Sequence, residues 1–205
     1  MSPDATIMDA RRRPKGDKRA RTREALLDAA GDITREKGFD HTTLQDVADR
    51  AGMTTGAIYG NFRNRDDLFM ALAERQWPTI RPRFAPGSSF AEKMRALSEA
   101  VLASIPEREP AAIGALRFRA YALGHEEVRL QFRDAMAAGH DAGAAFFRAA
   151  VAEDDLPMPP DVLVRVINAM IEGLTFQRFL TPELMPDAVF HQAFAALAGG
   201  PAAAR

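Results

Sequence analysis

The chain has 205 residues, 47% hydrophobic and 27% charged, a balance that excludes a wholly disordered polymer and allows one sizeable domain or two smaller ones. It has no cysteine, which rules out disulfide staples, thiolate metal sites and a cysteine nucleophile. Its net charge of −1 hides an uneven distribution, because between Arg11 and Arg23 eight of the thirteen residues are Arg or Lys and only Asp17 is acidic.

Residues 1–20, rich in Pro, Gly and charge and without a hydrophobic period, read as a flexible basic arm. They contain no apolar signal segment, and nowhere do about eighteen apolar residues run together, so the expectation is a cytoplasmic protein with no membrane span. From Thr22 the pattern changes. Leu26, Leu27, Ala30 and Ile33 fall at helical spacing, and Gly38 after Lys37 supplies a left-handed stop. Thr43 is placed to cap a short helix from Leu44 to Arg50, with Asp46 three residues on as a shorter relative of the capping-box Glu. Gly52 ends it, Thr54 caps the next, and two short helices joined so tightly must cross steeply, as in a helix-turn-helix. Asn64 caps a further helix, with Asp66 and Asp67 in its first turn and Pro78 and Pro82 closing it.

The stretch Thr54 to Asn61 has an unusual face for a helix of ordinary core. Thr54 and Thr55 offer hydroxyls, Gly56 and Ala57 permit close approach, and Tyr59 and Asn61 offer longer polar reach. Ile58 and Phe62, four apart, would anchor the opposite side. Small residues where backbone nears phosphate, and short polar groups where a helix meets base edges, are what entry into the major groove of DNA requires. Gly60 has no evident purpose in the interior of such a helix, where it weakens the helix by about 1 kcal/mol.

On these residues the segment Thr22 to Leu72 resembles the DNA-binding domain of the tetracycline-repressor (TetR) family of bacterial regulators. The resemblance rests on Gly38-Phe39, Thr42-Thr43-Leu44 with Val47-Ala48, Ala51-Gly52, Gly56 with Ile58-Tyr59, and Phe62 with Asn64-Arg65 and Leu68. It implies an all-α protein: a helix-turn-helix head over 21–68 after the arm, then a larger helical domain over 69–205 that binds an effector and dimerises. Carried over residue by residue, it makes Thr43, Gln45, Thr54, Thr55, Gly56, Ala57, Tyr59 and Asn61 the expected DNA contacts. Arg65, where the family usually has Lys, and Arg21 of the basic run are expected phosphate contacts. The pair Gly60-Asn61 departs from the bulkier pair common in the family, which leaves the base preference open.

Beyond Ser88 the pattern predicts helices over Phe90 to Ser104, about Glu107 to Gly124, Glu126 to about Ala152, Asp161 to Leu180 and Asp187 to Ala198, with prolines between them. No stretch alternates with period two. The apolar stripes Leu163, Val166, Ile167, Met170, Ile171, Leu174 and Val189, Phe190, Ala193, Phe194, Leu197 suit either monomer core or an interface. The resemblance makes the last two long helices a homodimer interface built as a four-helix bundle. It also implies an effector pocket, for which Trp77, Met94, Leu97, Phe118, Tyr121, Phe132, Met136, Phe147, Glu172 and Phe176 are candidates, favouring a hydrophobic or aromatic ligand.

The function so implied is a transcriptional regulator, a repressor that binds a near-palindromic double-stranded DNA operator as a homodimer and is released by a small molecule. A helical regulator without an effector, and a helical enzyme using the C-terminal pocket, are the alternatives. No catalytic arrangement, cofactor motif or metal-ligand spacing is found, and His125-Glu126-Glu127 and His140-Asp141 read as solvated helix faces.

Overall fold

The structure is a computed structural model that describes residues 15–77, 80, 82–152 and 155–199, with side chains from residue 18 onward. It contains nine α-helices and no strand among the described residues: α1 Lys15–Lys37, α2 Leu44–Arg50, α3 Thr55–Tyr59, α4 Arg65–Gln76, α5 Phe90–Arg108, α6 Ala112–Gly124, α7 Glu126–Ala150, α8 Pro160–Leu180 and α9 Asp187–Ala198. The chain falls into two compact units, 1–72 and 73–205, and the boundary lies inside α4.

In the first unit, α1 buries Leu26, Leu27, Ala30 and Ile33 on the face its spacing predicts, and α2 packs against it through Val47 and Ala48. Phe39 is buried in the turn after α1, with its ring edge-on to Phe69 of α4 at 5.0 Å. Two turns require glycine. Gly38 and Gly52 have φ of 82° and 63°, a region where a side chain on Cα is strained, and they set the exits of α1 and α2. One sequence expectation is corrected here. α1 begins at Lys15, so residues 15–20 are helical rather than part of a flexible arm. That first turn and a half is too polar to show an apolar period, while Lys and Arg are good helix formers. The rest of the expected arm, with Arg11, Arg12 and Arg13, lies outside the described residues.

In the second unit, α5 packs on α9, α7 on α8 and α6 on α7. A core of Phe90, Met94, Leu97, Val101, Phe147, Leu163, Ile167, Phe190 and Phe194 joins α5, α7, α8 and α9. Ser89 opens α5 with a full capping box to Glu92. Pro106 does not end this helix, which runs on to Arg108. Pro106 stands two residues from the end of the helix and removes one backbone hydrogen bond there.

Candidate nucleic-acid interface

The two short helices of the head are fixed by different means. α2 has a complete capping box: Thr43 Oγ1 accepts from the Asp46 amide at 3.1 Å, and the Thr43 amide donates to Asp46 Oδ2 at 2.9 Å. The Asp46 carboxylate also accepts from Lys37 of α1 at 2.6 Å. The Lys37 ammonium, then the Thr43 hydroxyl and amide, hold that carboxyl well below the usual range. At the other end of α2, Arg50 makes a two-pronged contact with Glu36 of α1, at 2.9 and 2.8 Å.

α3 has none of these fastenings. Thr54 sits at its N-cap with extended backbone, but its hydroxyl makes no capping bond, and the first turn has no acid. The helix is held instead by Ile58 and Phe62, 0% and 2% exposed, while Tyr59 on the far side is 62% exposed. Its other end is held by α1: Arg19 donates to the Gly60 carbonyl at 3.1 Å and Arg23 to the Asn61 carbonyl at 3.2 Å. The Arg23 guanidinium also lies 4.5 Å from the Phe62 ring centroid. Cations at the carbonyl end of a helix complement its dipole. Sequence reading treats both arginines only as part of a basic run; the signal available was their four-residue spacing, which puts them on one face of α1.

The expected DNA-contact residues differ in their exposure. Thr43, Gln45, Thr54, Gly56 and Tyr59 are exposed, and Thr55 and Ala57 half-buried. Gln45 bridges the helices, donating to Asp49 at 2.7 Å and accepting from the Thr55 hydroxyl at 2.8 Å. A Cβ on Gly56 would meet only Thr54 Oγ1, at 3.7 Å, so nothing inside the protein requires glycine there. Arg21 is exposed on α1. Arg65 donates to the carbonyls of Asp40 and Thr42, each at 3.4 Å, and lies over the Phe69 ring, which ties the start of α4 to the turn before α2.

Asn61 is the correction within this set. α3 ends at Tyr59, two residues earlier than the expected helix, and the Asn61 amide nitrogen turns back to the Ala57 carbonyl at 2.8 Å while its Oδ1 is enclosed. Asn61 thus closes the helix end with its side chain. Gly60 is consequently the C-cap and not an interior residue, with ordinary φ of −72° and its carbonyl open to Arg19.

The ten pocket candidates of the second unit separate into three groups. Met94, Leu97 and Phe147 belong to its hydrophobic core. Phe118 and Tyr121 are buried on α6, Phe118 edge-on to Phe132 at 6.0 Å and Tyr121 stacked on His125 at 3.9 Å, with Met136 half-buried on α7. Trp77, Glu172 and Phe176 gather with two arginines, Arg108 and Arg119. Among the described residues no group of three His, Asp or Glu is placed to hold a metal ion, and no helix is long and apolar enough to cross a membrane.

A small all-helical head that presents a short polar helix after a tight turn, ahead of a larger helical unit, defines a DNA-binding protein of the helix-turn-helix class. Residues 26–72 match the family model described as "Bacterial regulatory proteins, tetR family". The curated HTH-type transcriptional repressor BepR of Brucella suis is 43% identical over 56 residues, 27% of each chain. The chain therefore matches only about a quarter of such relatives' length. Over most of the chain the likeness is structural. A SmeT–triclosan complex is 22% identical with a TM-score of 0.57, covering 87% of this chain and 90% of that one. NalD, the secondary repressor of the MexAB-OprM multidrug efflux pump in Pseudomonas aeruginosa, is 23% identical with a TM-score of 0.57, covering 87% and 94%. At these identities the likeness establishes the fold.

Proposed function

We propose that this chain is a transcriptional repressor that binds a near-palindromic operator as a homodimer and is released by a small hydrophobic or aromatic ligand. The observation that carries the DNA reading is α3 itself: Ile58 and Phe62 hold it while Thr54 and Tyr59 stand exposed and Gly56 stays bare with no internal reason to be so. A duplex approaching closely along Gly56 supplies that reason. Repression is suggested by BepR and NalD, both named as repressors. An aromatic ligand is suggested by the triclosan held by SmeT and by the rings around Trp77.

The dimer is assigned to the outer face of α8. The buried part of its stripe, Leu163 and Ile167, serves the core of its own chain, as do Phe190 and Phe194 of α9. What α8 leaves exposed is the line Val162, Arg165, Ala169, Gly173, Gln177, Leu180, and a Cβ on Gly173 would meet nothing within 4 Å. A second helix packed against that line accounts for a glycine there. α4 begins in the head and leads directly to Trp77, so ligand-dependent movement at Trp77 has a continuous helix to act on.

Selection of binding sites from genomic DNA with the purified chain, followed by fluorescence anisotropy on the selected sequences, tests the reading. Palindromic sites bound with an affinity that falls as salt rises are expected; the absence of any sequence preference would refute it.

A further inference from the structure

The second unit contains a cationic aromatic cluster that the DNA-binding reading does not use. The rings of Trp77 and Phe176 stack at 5.1 Å, nearly parallel at 7°. Arg108 of α5 and Arg119 of α6 both lie against the indole, at 4.6 and 5.5 Å from its centroid, and Arg119 is 5.2 Å from the Phe176 ring. Arg108 is only 3% exposed. Arg119 donates to Glu172 of α8 at 2.5 Å, with side-chain exposures of 24% and 29%. One turn along the same side of α8, Thr175 is fully buried and its hydroxyl has no hydrogen-bond partner.

Aromatic packing by itself does not call for two guanidiniums, and burying them opposes stability unless a charge or ring compensates. Burial opposes the charge of Arg108, Glu172 favours it and Arg119 opposes it. A guanidinium fork is built for a carboxylate, and Arg119–Glu172 is open enough to water for its carboxylate to be exchanged.

The geometry points to an anion-binding subsite in which the carboxylate of a planar aromatic acid replaces Glu172 on Arg119, reaching toward Arg108 and the Thr175 hydroxyl, with its ring against Trp77 and Phe176. This rests on the effector reading above and narrows it: the ligand is an aromatic acid rather than a neutral hydrophobe. Inorganic phosphate lacks the apolar part that the two rings would bury.

Trp77 is the only tryptophan of the protein, so its fluorescence reports on this cluster alone. The full chain is titrated with benzoate and 2-naphthoate and, in parallel, with benzamide and 2-naphthamide, by tryptophan fluorescence and by calorimetry. Saturable binding of the acids is expected, with the amides at least about tenfold weaker, the scale of a lost charge-assisted hydrogen bond. Arg119→Met should remove that preference. Glu172→Gln should strengthen acid binding several-fold, because it removes the competing carboxylate, an effect that a merely structural ion pair would not produce; it also serves if Arg119→Met fails to fold. Amides that bind as well as the acids, or acid binding unchanged in Glu172→Gln, overturns the acid proposal and leaves the effector reading standing. Silence of acids and amides alike at millimolar concentration overturns both for this cluster.

Discussion

α2 and α3 are consecutive short helices on one small unit, and they use their polar groups in opposite ways. Every polar group at the ends of α2 has a task inside the protein: Thr43 caps, Asp46 answers both Thr43 and Lys37, and Arg50 holds Glu36. α3 starts with a threonine whose hydroxyl caps nothing and has no charged residue of its own; it is positioned by Ile58, Phe62 and two arginines from α1. The difference teaches how a recognition element can be rigid without consuming the groups it needs for recognition. Its neighbours supply most of the rigidity, and the Thr54 and Tyr59 side chains stand exposed.

Substitutions can break that comparison, beginning with the anchors of α3. Phe62→Ala should lower the stability of the head by about 3–5 kcal/mol, seen as lost hydrogen-exchange protection in residues 26–72, and abolish operator binding with it. Tyr59→Ala, on the exposed side, should leave that protection unchanged while operator affinity falls. The two threonines at N-cap positions should separate next. Thr43→Ala should cost about 1 kcal/mol of head stability, whereas Thr54→Ala should stay within about 0.5 kcal/mol and act on operator affinity alone. Equal losses of stability from the two would break the contrast.

Gly56→Ala should move two properties in opposite directions. The head should gain about 0.5–1 kcal/mol, because the site has room for a methyl group and alanine favours helix, while anisotropy should report weaker DNA binding. Unchanged DNA affinity would remove the argument that the bare backbone faces a duplex. The smallest effect is pH-dependent. Because the folded Asp46 carboxyl is held below its unfolded value of about 3.9, its contribution is fully present above pH ~4 and is lost as pH falls through the folded value. Exchange protection of α2 should therefore weaken in acid ahead of α3, and Asp46→Asn should remove that difference.

The head was legible because its signals are local. Gly38 and Gly52 mark turns that only glycine accommodates easily, Thr43 and Asp46 lie three apart, and Ile58 and Phe62 lie four apart. The end of α3 was not legible, because a polar residue such as Asn61 just past a C-terminus looks the same in sequence as one on the exposed face. The second unit was less legible. An apolar stripe says that Phe190 or Met94 is covered but not by what, since that depends on which helix the chain brings back to it. The cluster at Trp77 draws on α5, α6 and α8, and no spacing within one helix announces it.

The bonds of Arg19 and Arg23 to their own chain have a consequence for the proposed DNA binding of the basic run. Eight cations between Arg11 and Arg23 invite the count of eight neutralised phosphates per protomer, each contributing about 0.9 to the slope of log affinity against log salt. Two of those cations already face carbonyl groups of their own chain. Counterions condensed on phosphates that these two arginines do not neutralise stay on the duplex, so the slope should be shallower than the charge count by about two phosphates per protomer.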